Sequence, residues 1–181
     1  MNPVFEAFLK NTFNEAMALA EKSDVLRIAP IPPFPPSGYL CEFDVSYLRK
    51  RAGGVVELKT APVVAGLLFP EDYLHSTDPR LYLRVAWVVE PWDIVHPNVR
   101  GGVVCLGSAF APGTPITALL WELYEIVSYQ NLTLDEGNAL NPEACRLLRG
   151  QPELLAELLA RLKPKPFLRR RREMRIKVNA I

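Results

Sequence analysis

Cysteine and histidine are scarce in this chain, with three and two residues among 181. Cys41, Cys105 and Cys145 share no paired spacing and form no Cys-x-x-Cys. That pattern argues against a disulfide framework and fits a reducing cytosol. With only His75 and His96 beside them, a structural zinc site lacks ligands, and no cofactor is expected. Long apolar runs are also missing: no stretch reaches the roughly 20 residues that a membrane span needs. The N-terminus, Met1-Asn2-Pro3-Val4-Phe5-Glu6, lacks the basic-then-apolar pattern of a secretory signal. The expectation is a cytoplasmic protein without a membrane partner.

What is present suits one domain with a core: 49% hydrophobic and 23% charged residues. The net charge of +1 hides an asymmetry. From Arg161 onward there are nine basic residues and one acid, Glu173, so that segment carries +8 and residues 1–160 carry −7. An acidic body, 1–163, is followed by a basic extension, 164–181.

Phe5, Phe8, Leu9, Thr12, Phe13, Ala16 and Met17 fall on one face of a 3.6-residue period, predicting a helix over 3–22. Asn2 can cap it and Pro3 suits its first turn. The proline-rich stretch 29–38 reads as a stiff extended connector. Tyr39, Cys41, Phe43, Val45 and Tyr47 alternate, predicting a strand over 39–48. Further strands are expected at 55–60, 63–69 and 80–90. A helix before a four-stranded antiparallel meander is an α+β pattern. Thr114 as N-cap and Pro115 at N1 open a central helix to about Tyr129, with Ile116, Leu119, Leu120, Leu123 and Val127 as its buried stripe. Asn141-Pro142 opens a short helix to Leu148, and Pro152 another to about Leu162.

The most informative stretch is His96-Pro97-Asn98-Val99-Arg100-Gly101-Gly102-Val103-Val104-Cys105-Leu106-Gly107. Pro97 fixes its own φ and restricts His96 to extended backbone. Asn98 follows in a turn, with an amide able to donate and accept. Gly101 and Gly102 allow torsions closed to other residues. Val103-Val104 then reads as a brief buried strand delivering Cys105 to a fixed place. A rigid turn beside a positioned thiol is one way to build a nucleophile and its oxyanion stabiliser. A cysteine in an apolar strand is more often core filling.

The stretch resembles the active-site segment of ubiquitin-conjugating (E2) enzymes, in which His-Pro-Asn precedes the catalytic cysteine and Leu follows it. The resemblance continues in Phe69-Pro70-Glu71-Asp72-Tyr73, similar to the family's "FPxxY", and in Leu140-Asn141-Pro142-Glu143-Ala144, similar to its "PLNPEA". It covers about residues 3–162 in order. Four departures stand out. The His96-to-Cys105 spacing is slightly short, the paired prolines are reduced to Asp78-Pro79, Phe110 replaces a tryptophan, and Asn138 stands where an aspartate often assists the incoming lysine. The compact form resembles the E2-like proteins of bacterial ubiquitin-like conjugation operons, some linked to phage defence.

The resemblance implies a ubiquitin-conjugating fold: N-terminal helix, four-stranded meander, central helix and C-terminal helices. It implies that Cys105 takes a ubiquitin-like protein from an E1-like activating enzyme as a thioester, with the helix over 3–22 contributing to that partner's binding. A lysine of a protein target then attacks the thioester. Asn98 is the candidate oxyanion donor or loop brace, and Asp135, Glu136 and Asn138 lie in the loop that steers the lysine. His96 reads as a structural hydrogen-bonding residue. Two other readings are a non-catalytic E2-like binding module, against which Cys105 speaks, and a Cys105/His96 hydrolase dyad, for which no protease signature is present. The basic extension lacks a fold motif or interleaved aromatics, so nucleic-acid binding has little support.

Overall fold

The computed structural model describes residues 2–107 and 110–161; the basic extension 164–181 lies outside the described residues. The architecture is mixed α+β. An N-terminal helix α1 (Pro3–Lys22) precedes strands β1 (Leu26–Ile31), β2 (Gly38–Lys50) and β3 (Val56–Leu68). A 3-10 turn (Leu81–Leu83) leads to β4 (Ala86–Glu90), β5 (Val99–Arg100) and β6 (Val103–Val104). Helices α2 (Ile116–Val127), α3 (Pro142–Arg149) and α4 (Pro152–Arg161) follow. The strands form one antiparallel sheet in the order β1-β2-β3-β4-β6-β5.

Helix α1 starts where its caps require. The Asn2 side chain accepts from the Val4 N–H at 2.8 Å, and Pro3 occupies the first turn, where a missing N–H costs nothing. Phe5, Leu9, Thr12 and Ala16 are buried, with Leu19 extending the stripe, while Phe8 and Phe13 pack at its edge. The Phe8 ring stands 5.4 Å from both Phe69 and Tyr73, so the helix is pinned to the segment after β3. Phe69 and Tyr73 meet edge to face at 4.9 Å, and the Tyr73 hydroxyl donates to the Thr114 carbonyl at 2.7 Å. This aromatic group joins α1, β3 and the entrance to α2.

The sheet departs from the sequence reading in three places. Leu26–Ile31 is a strand, pairing with β2 from Leu26↔Phe43 to Ile31↔Gly38. It is an edge strand, so Pro30 can lie in it without breaking a second ladder. The expected strands at 55–60 and 63–69 are one 13-residue strand, β3. Pro62 sits in the part flanked only by β2, since β4 pairs from Val64 onward. The first half of the expected strand 80–90 is a 3-10 turn instead. The Asp78 carboxylate accepts from the Arg80 N–H at 2.8 Å and from Arg84 at 3.0 Å, which winds the chain there. The meander is therefore β1-β2-β3-β4, with β5 and β6 added beyond it.

The alternation of β2 is as expected: Tyr39, Cys41, Phe43, Val45 and Tyr47 are buried. Helix α2 covers that face with Ile116, Leu119, Leu120, Leu123 and Val127, all buried, and its Tyr124 tilts against Phe43 at 6.2 Å. Its N-cap is Pro115 rather than Thr114, because the Thr114 hydroxyl turns back and donates to the Ala111 carbonyl at 2.6 Å. Among the described residues, no helix is long and apolar enough to cross a membrane.

Candidate functional site around Cys105

Cys105 ends a hairpin that the sequence specifies. Val99 pairs with Val104 and Arg100 with Val103 across a two-residue turn, Gly101-Gly102. Both glycines have positive φ, 56° and 81°, as the favoured hairpin turn demands and as other residues resist. The hairpin docks on β4: the Val88 N–H donates to the Gly102 carbonyl at 2.7 Å, and Trp87 pairs with Val103. Val104 is buried, whereas Val103 faces outward, so the expected buried strand has one exposed side.

The hairpin returns Cys105 to the His-Pro-Asn turn. The Cys105 N–H donates to the Asn98 carbonyl at 2.8 Å. Cys105 is partly exposed, whereas Cys41 and Cys145 are buried. Burial pushes the Cys41 thiol up to about 12 and the Cys145 thiol upward as well, so neither ionises readily. Asn98 is half-buried beside a buried Pro97.

His96 is completely buried. Its Nδ1 accepts from the Asn98 N–H at 3.0 Å, which places the imidazole proton on Nε2. Nε2 is buried without a hydrogen-bond partner among the described residues. The ring meets Tyr129 edge-on, with centroids 4.7 Å apart. Burial pulls the His96 pKa down to about 3, so the ring stays neutral. It fixes the turn around Asn98 and is in no position to take a proton from solvent-exposed chemistry.

Tyr129 anchors the approach to this turn. It follows α2 in a left-handed conformation, φ 60°, which costs an L-residue about 1–2 kcal/mol. That conformation coexists with full burial of the side chain. Its hydroxyl donates to the Val95 carbonyl at 2.6 Å and accepts from the Leu48 N–H at 3.1 Å. The Val95 N–H donates to the Leu48 carbonyl at 2.8 Å, and the Asp93 carboxylate holds Arg49 at 2.7 Å. Residues 93–95 are thus laid along β2 before His96 begins.

The loop carrying Asp135, Glu136 and Asn138 is built differently. Asp135 folds it: one carboxylate oxygen accepts from the Gly137 N–H at 3.0 Å and the other from the Asn138 side-chain amide. Glu136 pairs with Arg146 at 2.6 Å and with Arg149. Those guanidiniums, Arg149 first, hold its carboxyl below the usual range. Asn138 is exposed. Among the described residues no hydrogen bond joins this loop to Asn98 or Cys105 directly. Ser108 and Ala109, which follow the Cys105 segment, lie outside the described residues. Phe110 beyond them stands 6.1 Å from Tyr73.

The connection between the two loops runs through α3, and Asn141 is the residue that sequence reasoning reduced to a cap. It does cap: its Oδ1 accepts from the Ala144 N–H at 3.2 Å. It also donates twice to the His-Pro-Asn turn, from its N–H to the Pro97 carbonyl at 2.8 Å and from Nδ2 to the Val99 carbonyl at 2.9 Å. These are the two residues flanking Asn98. On the outer side, a cleft of about 770 Å³ separates α3 from the end of β2, and the Lys50–Glu143 ion pair links the two at 2.7 Å. Among the described residues no group of three metal-ligating side chains is present.

No protein-family model matches this chain, and no curated protein matches it in sequence.

Proposed function

We propose that the protein is a conjugating enzyme of the ubiquitin-conjugating type, with the corresponding fold, in which Cys105 carries the C-terminal acyl group of a ubiquitin-like protein. The observation that carries this reading is the placement of Cys105: the one partly exposed cysteine, bonded through its own N–H to the Asn98 turn. In the first step the Cys105 thiolate attacks the thioester held by an E1-like enzyme. A new thioester forms on Cys105, the old C–S bond breaks, and the E1-like enzyme's cysteine departs as a thiolate. In the second step a deprotonated lysine amine attacks that thioester. An amide bond forms, the thioester C–S bond breaks to release the Cys105 thiolate, and the amine's surplus proton passes to solvent.

Asn98 is the proposed donor to the oxyanion of the second step. His96 and Tyr129 hold its turn. Asp135 serves as the fold of the acceptor loop and Glu136 as its tether, since both carboxylates are already engaged. Asn138 is left as the exposed amide that meets the incoming lysine. The neutral, buried His96 gives the hydrolase reading no base.

The test is expression of tagged protein in its native host. Wild type is expected to carry an adduct that reductant removes. Cys105→Ser should carry one that resists reductant, because an oxyester replaces the thioester, and Cys105→Ala should carry none. An adduct on Cys105→Ala would overturn the assignment.

A further inference from the structure

We propose that helix α3 is the element that sets the acceptor loop against the thioester turn, with Asn141 as its positioning residue for Asn98. This inference rests on the conjugation reading and adds to it a device for lysine transfer.

The geometry is specific. At its N-terminus α3 spends one residue, Asn141, on three hydrogen bonds. The acceptor half of the amide caps the helix, and both donors go to the carbonyls on either side of Asn98. Further along the helix, three residues hold the other loop. The Cys145 thiol lies 3.8 Å from the Thr133 carbonyl, Arg149 donates to the Leu134 carbonyl at 2.9 Å, and Arg146 and Arg149 together hold Glu136. A helix is stiff over this length, so the two loops keep one separation. Ala144, Cys145 and Leu148 seat the helix on the core, and Lys50–Glu143 ties it to β2. No bond from Asp135 or Asn138 to the thioester turn is then needed to register them.

The chemistry follows. Acyl transfer onto Cys105 needs the thiol and the incoming thioester. Transfer onward needs the oxyanion donor and the lysine in register as well, and a small misplacement of such groups slows a reaction by about 10- to 100-fold. Perturbing α3 at Asn141 should therefore act on the second step and through Asn98. Breaking its tether to the loop at Glu136 should act on the second step and through the acceptor.

The experiment uses the full chain, a fluorescent peptide mercaptoethanesulfonate thioester as acyl donor, and free L-lysine as acceptor. Asn141→Asp keeps the capping oxygen but loses the Nδ2 donor to Val99. Its Cys105 should still load, and its kcat for discharge to lysine should fall about 10- to 100-fold with lysine KM little changed. The double variant Asn98→Ala/Asn141→Asp should be no slower than Asn98→Ala alone, because both act through one group. Glu136→Gln should raise lysine KM instead, and added salt should weaken the wild type in the same sense. Asn141→Ser, which also keeps a capping oxygen, gives the same reading should the aspartate variant fold poorly. Discharge at the wild-type rate in both Asn141 variants, or slowing that multiplies with Asn98→Ala, would overturn the inference while leaving the conjugation reading intact. Failure of wild-type Cys105 to take the peptide would remove both.

Discussion

The backbone N–H of Cys105 points at the carbonyl of Asn98 across 2.8 Å, so the residue that bears the thiol is tied by its backbone to the turn preceding it. Any reaction at the thiol takes place beside the turn that carries the Asn98 amide. If that amide stabilises the oxyanion during lysine attack, Asn98→Ala should slow discharge to lysine about 100- to 1000-fold. Loading should fall far less. Single-turnover discharge from a preloaded thioester measures this, and discharge at the wild-type rate would end the catalytic role of Asn98.

The three cysteines should separate by native alkylation. In folded protein at pH 7.5, iodoacetamide should modify Cys105 first, because Cys41 and Cys145 are buried with thiols held protonated. In denaturant all three should react. Intact-mass spectrometry counts the labels, and rapid labelling of Cys41 in the native state would contradict the fold described for β2.

His96 should make stability depend on pH. Its pKa is depressed in the folded state by burial, to about 3, from an ordinary value of 6.5. The unfolded chain therefore binds the proton first as pH falls. Stability from this group is full above pH 6.5 and is lost progressively as pH drops from 6.5 toward 3. At pH 5 the loss is about 2 kcal/mol. Urea denaturation at pH 7 and pH 5 should show that loss in wild type, and His96→Gln should show much less of it.

Tyr129→Phe removes one hydroxyl and leaves the Val95 carbonyl and the Leu48 N–H without it. The expected cost is about 1–3 kcal/mol in denaturation experiments. Because Val95 leads directly into His96, discharge of a preloaded thioester should slow as well. An unchanged melting midpoint would mean that the hydroxyl does not anchor the turn.

The helices were legible because their boundaries are chemical: Asn2-Pro3 and Asn141-Pro142 cap and start α1 and α3 as read. Thr114 misled by one residue because its hydroxyl found Ala111 instead of the helix. The strands were harder. Leu26–Ile31 contains Pro30 and runs straight into Pro32-Pro33, which disguise an edge strand, and Ala61-Pro62 looks like a turn until β2 is seen to flank it alone. Leu81, Leu83 and Val85 alternate like a strand, yet Asp78 winds the first part into a 3-10 turn. In the site, His96 to Cys105 announced themselves by local chemistry. The second role of Asn141 did not, because its partner Val99 is 42 residues away and a capping asparagine already looked satisfied. Arg146 and Arg149 sit in the last turn of α3, where basic charges are ordinary, so nothing local in the sequence marks their hold on Glu136.

The most direct measurement is to isolate wild-type protein from its host under acidic, non-reducing conditions and map any adduct by mass spectrometry. The account predicts the sulfur of Cys105 joined as a thioester to the C-terminal residue of a small ubiquitin-like protein, released by reductant. No adduct on Cys105 while the host's E1-like enzyme is demonstrably active, or an adduct mapping to another residue, would contradict it and make Cys105 a structural thiol.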